Sequence, residues 1–109
     1  MRAVFVSSPY RGDTDRNLAY LACALGDCLA RGESPYAPHD SLPKLLDDSD
    51  PEQRRRGMEA ALSWLKKADC LVAYTDFGWT PGMQTERLFA EQWGIHIEER
   101  TLGMPWAEA

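Results

Sequence analysis

Two short apolar runs, Val4-Phe5-Val6 and Cys70-Leu71-Val72-Ala73-Tyr74, show no alternation of polar residues, the mark of strands buried on both faces. A strand without a wet face needs helices above and below it, and parallel neighbours need long, usually helical crossovers. The intervening sequence provides them. From about Asp13 to Arg31, the residues Leu18, Leu21, Ala22, Leu25, Cys28 and Leu29 recur at spacings of three and four, which predicts an amphipathic helix ending at Gly32. A second helix is expected from about Glu52 to Lys67, with Pro51 near its start and Met58, Ala61, Leu62 and Leu65 on one face. Thr80 and Pro81 read as the N-cap and first turn of a third helix, running to about Trp93 and closed by Gly94.

Two weaker strands complete the pattern. Glu33 to Pro38 is interrupted by Pro35 and Pro38, so it reads as an edge strand followed by a loop through His39 to about Pro51. Ile95 to Glu98 reads as the last strand. The alternation predicts an α/β fold: a doubly wound parallel sheet of about four strands in the order 2-1-3-4, a Rossmann- or flavodoxin-like three-layer sandwich. The 109 residues suit a single domain with one core, here about residues 2–98, and residues 99–109 read as a loose tail.

Composition narrows the function. Twelve Lys and Arg against seventeen Asp and Glu give a net charge of -5, which provides no general attraction for polymeric DNA or RNA. No apolar stretch approaches the roughly 18 residues of a membrane span, and the opening residues run into a strand rather than a signal peptide, so a cytoplasmic protein is expected. Cys23, Cys28 and Cys70 have no metal-site spacing and sit in apolar patterns. They read as core cysteines, and neither a metal nor a cofactor is implied.

In such a sheet the ligand crevice lies beyond the carboxyl ends of the strands, at the switch point between strands 1 and 3. Three segments converge there: Ser7-Ser8-Pro9-Tyr10-Arg11-Gly12, Pro38-His39-Asp40, and Thr75-Asp76-Phe77-Gly78-Trp79. Hydroxyls, a phenol, a guanidinium, an imidazole, carboxylates and aromatic rings together suit a polar ligand with a flat ring.

Glu86 is the sharper feature. Gly82, Met83, Phe89, Ala90 and Trp93 form the stripe of the third helix that should pack on the sheet, and Glu86 falls in its middle. A carboxylate there must be paired, hydrogen-bonded or open to a cavity. The alternative is a rotated stripe, with Leu88 packed and Glu86 in solvent. Other residues have equally plain readings: Asp76 as a turn residue, Tyr10 as a loop aromatic closing the core, and His39 as a loop cap. Arg54, Arg55 and Arg56 read as a solvated face, with phosphate binding unforced. Asp13 and Asp15 suit the start of the first helix but would repel a phosphate there.

The Ser-Pro-Tyr end of strand 1, Asp76 after the central strand, and the pattern Gly82-Met83-x-x-Glu86-x-x-x-Ala90-x-x-x-Gly94-Ile95 together resemble the nucleoside 2-deoxyribosyltransferase-like superfamily, in particular its small bacterial and phage branch. The resemblance implies that Glu86 is a nucleophile attacking the anomeric carbon of a deoxyribosyl or ribosyl group, forming a covalent glycosyl-enzyme that a base or water resolves. It implies that Asp76 hydrogen-bonds or protonates the departing base, that Tyr10 positions Glu86 or the sugar, and that Arg11 and Gly12 meet a 5′-phosphate. Transferases of this group complete their pocket with a carboxyl-terminal segment from a neighbouring subunit, for which the short stretch after Glu98 has no obvious counterpart. A homodimer or higher oligomer is expected, with Leu88 and Trp93 or Trp106 as its apolar contact. Besides the glycosidic enzyme, two readings stand: a non-catalytic module binding a nucleotide against Tyr10, Phe77 or Trp79, and an interaction protein with an empty crevice.

Overall fold

The computed structural model describes residues 1–106. Four strands, β1 (Ala3–Ser7), β2 (Ser34–Tyr36), β3 (Cys70–Tyr74) and β4 (His96–Arg100), form one parallel sheet in the order β2-β1-β3-β4. The crossovers carry α1 (Thr14–Ala30), the single turn α2 (Pro38–Ser41) followed by a 3-10 turn at Leu42–Lys44, α3 (Pro51–Lys67) and α4 (Pro81–Gln92). The predicted order and layering are thus observed. No helix among the described residues is long and apolar enough to cross a membrane.

Side chains of β1 and β3 alternate between two cores. Val4, Val6, Cys70, Val72 and Tyr74 meet α1 through Tyr20, Leu21, Ala24 and Cys28. Phe5, Leu71 and Ala73 meet α3 and α4 through Ala61, Leu65, Met83 and Ala90. Gly32 and Gly94 follow the C-caps of α1 and α4 with φ of 77° and 67°, the left-handed conformation that lets a helix end and the chain turn back.

Several expectations need correction. The buried stripe of α1 is Asn17, Tyr20, Leu21, Ala24 and Cys28, while Leu18 and Leu29 are exposed. The helix is turned because Asn17 and Tyr20 have partners inside: the Asn17 amide donates to the carbonyls of Tyr10 and Arg11, and the Tyr20 hydroxyl donates to Asp76. Cys28 and Cys70 are core residues, but Cys23 is exposed. The stretch after strand 2 is partly helical rather than a plain loop.

The loose tail also takes a different form. Residues 99 and 100 extend β4, the backbone N–H groups of Leu102 and Gly103 donate to the Asp76 carboxylate, and Trp106 packs edge-on against Tyr20 and Phe77. The remainder of the expected tail, residues 107–109, lies outside the described residues.

Arg100 ties β4 to the core. Its guanidinium makes two hydrogen bonds of 2.8 Å to Glu33 and one of 2.7 Å to Glu98, and Arg2 donates to the same two carboxylates. The Arg100 side chain holds the Glu33 carboxyl down at about 2, well below the 4.5 of the free group. The stabilisation this represents is complete above pH 4.5 and is lost as the pH falls towards 2. Replacing Arg100 with Met should cost about 3 kcal/mol in urea unfolding, because Glu33 loses its bidentate partner in the interior. The double replacement Arg100→Met with Glu33→Leu should recover most of that loss.

Candidate active site

At the carboxyl edge of the sheet, between the loop after β1, the 38–50 segment and the first turns of α3 and α4, lies a cavity of about 530 Å³. That volume is in the range of small-molecule sites, roughly 300–1,000 Å³. Leu42, Leu46, Met58 and Leu62 make its apolar wall, and Glu86, Ser8, Tyr10 and His39 supply polar groups.

Glu86 is half-buried on the second turn of α4 and faces the cavity. The hydroxyl of Ser7, at the end of β1, donates to Glu86 Oε1 at 2.7 Å. Burial pushes the Glu86 carboxyl up to about 7, against the lowering effect of the Ser7 hydrogen bond. The second serine differs. Ser8 Oγ is buried in the cavity wall without a hydrogen-bond partner among the described residues, a condition that costs about 1–3 kcal/mol until a ligand or water meets it.

Tyr10 and His39 stack with centroids 4.9 Å apart and planes 19° from parallel, joining the β1–α1 loop to α2. Burial depresses the His39 imidazole to about 4, so the ring is neutral at pH 7 and offers one donor and one acceptor. Arg11 stands at the rim, but its guanidinium is tied to Asp48 at 2.6 Å.

Of the residues expected at the site, Ser8, Tyr10, Arg11, His39, Gly82, Met83 and Glu86 line the cavity, and Ser7 reaches it through Glu86. Pro9, Gly12, Asp76, Phe77, Gly78 and Trp79 do not line it. The Asp76 carboxylate is spent on Tyr20, Leu102 and Gly103, and these donors hold its carboxyl below the usual range despite burial. Phe77 carries the Arg16 guanidinium over its face at 3.9 Å, and Trp79 carries that of Arg87 at 4.8 Å. The stacking surface at the cavity is therefore Tyr10 with His39. Among the residues expected to carry an oligomer contact, Leu88 is 55% exposed, whereas Trp93 packs on Phe89 and Trp106 on Tyr20.

Sequence reasoning missed the wall formed by residues 42–62. Gly57 is part of it: a Cβ there would stand 3.3 Å from Leu46 Cδ1, so Leu46 packs close against the α3 backbone at this point. Arg54, read as part of a solvated face, lies at the cavity rim. Asn17 was missed as the residue that holds the Tyr10 and Arg11 carbonyls, although its place in a three-and-four spacing with Tyr20, Leu21, Ala24 and Cys28 marks it.

A parallel sheet in the order β2-β1-β3-β4 covered by helices on both faces defines an α/β protein of the doubly wound class, and solved structures share this architecture. A 2-deoxyribosyltransferase from the psychrotolerant bacterium Bacillus psychrosaccharolyticus superposes with a TM-score of 0.71 at 15% identity, over 91% of this chain and 72% of that one. A 2-deoxyribosyltransferase from Leishmania mexicana gives 0.64 at 13% identity, over 94% of this chain and 66% of that one. At these identities the likeness is one of fold. No curated protein sequence matches the chain. The chain belongs to the family described as a domain of unknown function (DUF7768), which matches residues 2–100.

The raised Glu86 carboxyl has a consequence for stability. A folded-state value of about 7 against 4.5 means that ionisation opposes folding, so its penalty is absent below pH 4.5 and complete above about 7. Glu86→Gln should therefore match the parent in melting temperature near pH 4.5 and exceed it at pH 8.

Proposed function

We propose that this protein acts on the N-glycosidic bond of a nucleoside or nucleoside 5′-monophosphate, with Glu86 as the nucleophile. The observation that carries the reading is Glu86 itself, a carboxylate facing an apolar cavity and oriented by Ser7. The shared fold with two 2-deoxyribosyltransferases supports it. A Glu86 oxygen attacks the anomeric carbon and the bond to the base nitrogen breaks, its electron pair leaving with the base, which takes up a proton. Water or an acceptor base then attacks the same carbon and releases the carboxylate, giving hydrolysis or transfer. The low-dielectric wall that disfavours the free carboxylate strengthens its attraction to the oxocarbenium-like charge of the transition state.

In this scheme Ser8 Oγ meets a sugar hydroxyl, and the Tyr10–His39 pair flanks the base or sugar. A 5′-phosphate would draw Arg11 from Asp48, with Arg54 on the same rim. Self-association through the exposed Leu88 belongs to the same proposal.

One observation favours a second reading, a module that binds a nucleotide without turning it over. Asp76 lies outside the cavity and Asp48 is engaged with Arg11, so neither stands free to assist a leaving base. Incubation with a panel of deoxyribonucleosides and nucleoside 5′-monophosphates, with and without an acceptor base, separates the two. The glycosidic reading expects base release or exchange that disappears in Glu86→Ala. Ligand-induced thermal stabilisation without product from any substrate would establish the binding module instead.

The pH dependence of turnover is a further check. A nucleophile must be ionised, so kcat/KM should rise with pH and level off above about 7, the value at which Glu86 loses its proton. A fall through the same region would make Glu86 a proton donor and overturn its assignment as nucleophile.

A further inference from the structure

At the opposite end of the sheet, three side chains capable of binding a metal are brought together by strand register. Cys70 on β3 pairs with His96 on β4, and parallel partners project to the same face of the sheet. Glu98 is two residues along β4 and shares that face. Cys70 Sγ, a ring nitrogen of His96 and a Glu98 oxygen all lie within 4.8 Å of one another, with His96 Nε2 3.5 Å from Glu98 Oε1.

Neighbouring interactions account for only part of this cluster. Glu98 and Arg100 belong to the ion-pair network with Arg2 and Glu33. His96 is mostly exposed and stands 3.5 Å from Glu98, while the buried Cys70 thiol, among the described residues, donates only to the Leu71 carbonyl of its own strand, at 3.4 Å. A buried thiol, an exposed imidazole and a partly exposed carboxylate thus lie beside one another at the edge of the sheet.

We propose that Cys70, His96 and Glu98 bind one divalent cation of the zinc class, leaving its fourth coordination position open to water. Thiolate with imidazole selects zinc-like ions over magnesium or calcium, and three protein ligands leave the tetrahedron open. Ligands about 2.0–2.3 Å from zinc stand roughly 3.3–3.8 Å apart, a spacing that His96 Nε2 and Glu98 Oε1 already meet at 3.5 Å, so the distances to Cys70 contract by at most about 1 Å. The exposed His96 ring has the freedom to do so. On binding, the Cys70 proton passes to solvent and His96 donates through a neutral ring nitrogen, so affinity declines as the pH falls. Arg2 donates to Glu98 Oε1 and Arg100 to Oε2, which orients the carboxylate and leaves one lone pair of each oxygen for the ion. Their charges balance those of Glu33 and Glu98, so the cation with its thiolate adds one net positive charge, which sets affinity below that of all-thiolate sites.

Titration of metal-free protein with cobalt(II), followed by the thiolate-to-cobalt charge-transfer band and by displacement with zinc, tests the assignment. The band should saturate at one cobalt per chain, persist in Cys23→Ser and vanish in Cys70→Ser. His96→Gln, an exposed replacement that leaves the core untouched, should weaken binding by more than about tenfold, the least that even an outer hydrogen-bonding partner of a ligand usually carries. No band in the parent, a band retained in Cys70→Ser, or undiminished affinity in His96→Gln would each overturn the proposal.

Discussion

Strands β1 and β3 are buried on both faces from Val4 to Ser7 and from Cys70 to Tyr74, and the rest of the chain is arranged to cover them. One face takes α1 and the other takes α3 and α4, which fixes the crossovers and places the carboxyl ends of all four strands on one edge. Burial of these strands is favourable only because their backbone groups pair with neighbouring strands on both sides. At the carboxyl edge that pairing runs out, polar side chains take over from apolar ones, and a cavity forms where the β1 loop and α4 diverge. The location of Glu86 is thus a consequence of how the two central strands are covered.

Within that cavity two opposing effects act on Glu86. Removal from water favours the protonated form, while the Ser7 hydroxyl favours the ionised one, and burial prevails. A ligand that develops positive charge beside the carboxylate reverses the balance. In the proposed reaction, the same site that penalises an isolated carboxylate would favour a cationic transition state, provided that the ligand displaces water. The neutral His39 adds no cation to the wall, and of the two arginines at the rim Arg11 is paired with Asp48.

The parts of this arrangement legible in sequence were those that depend on local pattern. The unbroken apolar runs of β1 and β3 identified the sheet, and one acidic residue in the apolar stripe of α4 identified Glu86. The rotation of α1 was hidden because its cause is long-range: Tyr20 faces inward to reach Asp76, 56 residues away in sequence. The 42–62 wall was hidden for a related reason, since the close approach of Leu46 to Gly57 is a tertiary contact that no local pattern records. The ordered chain after β4 left no mark at all. Its ties to Asp76 come from backbone N–H groups, which every residue but proline possesses.

Asp76 follows β3 as expected but lies outside the cavity. The family resemblance implied that it hydrogen-bonds or protonates a departing base, whereas three donors converge on the carboxylate and favour its ionised form. An acid held in that state parts poorly with a proton it seldom carries. Glycosidic cleavage in this chain would then draw little help at the departing nitrogen, and rate would follow the intrinsic leaving ability of the base. Bases already cationic, or stable as anions, would depart most readily, whereas a base needing protonation would have to receive its proton from water entering at the rim beside Arg11 and Asp48. The Asp76 carboxylate instead anchors the chain beyond β4, and of the acidic residues in the proposed scheme Glu86 is the one that the apolar wall surrounds.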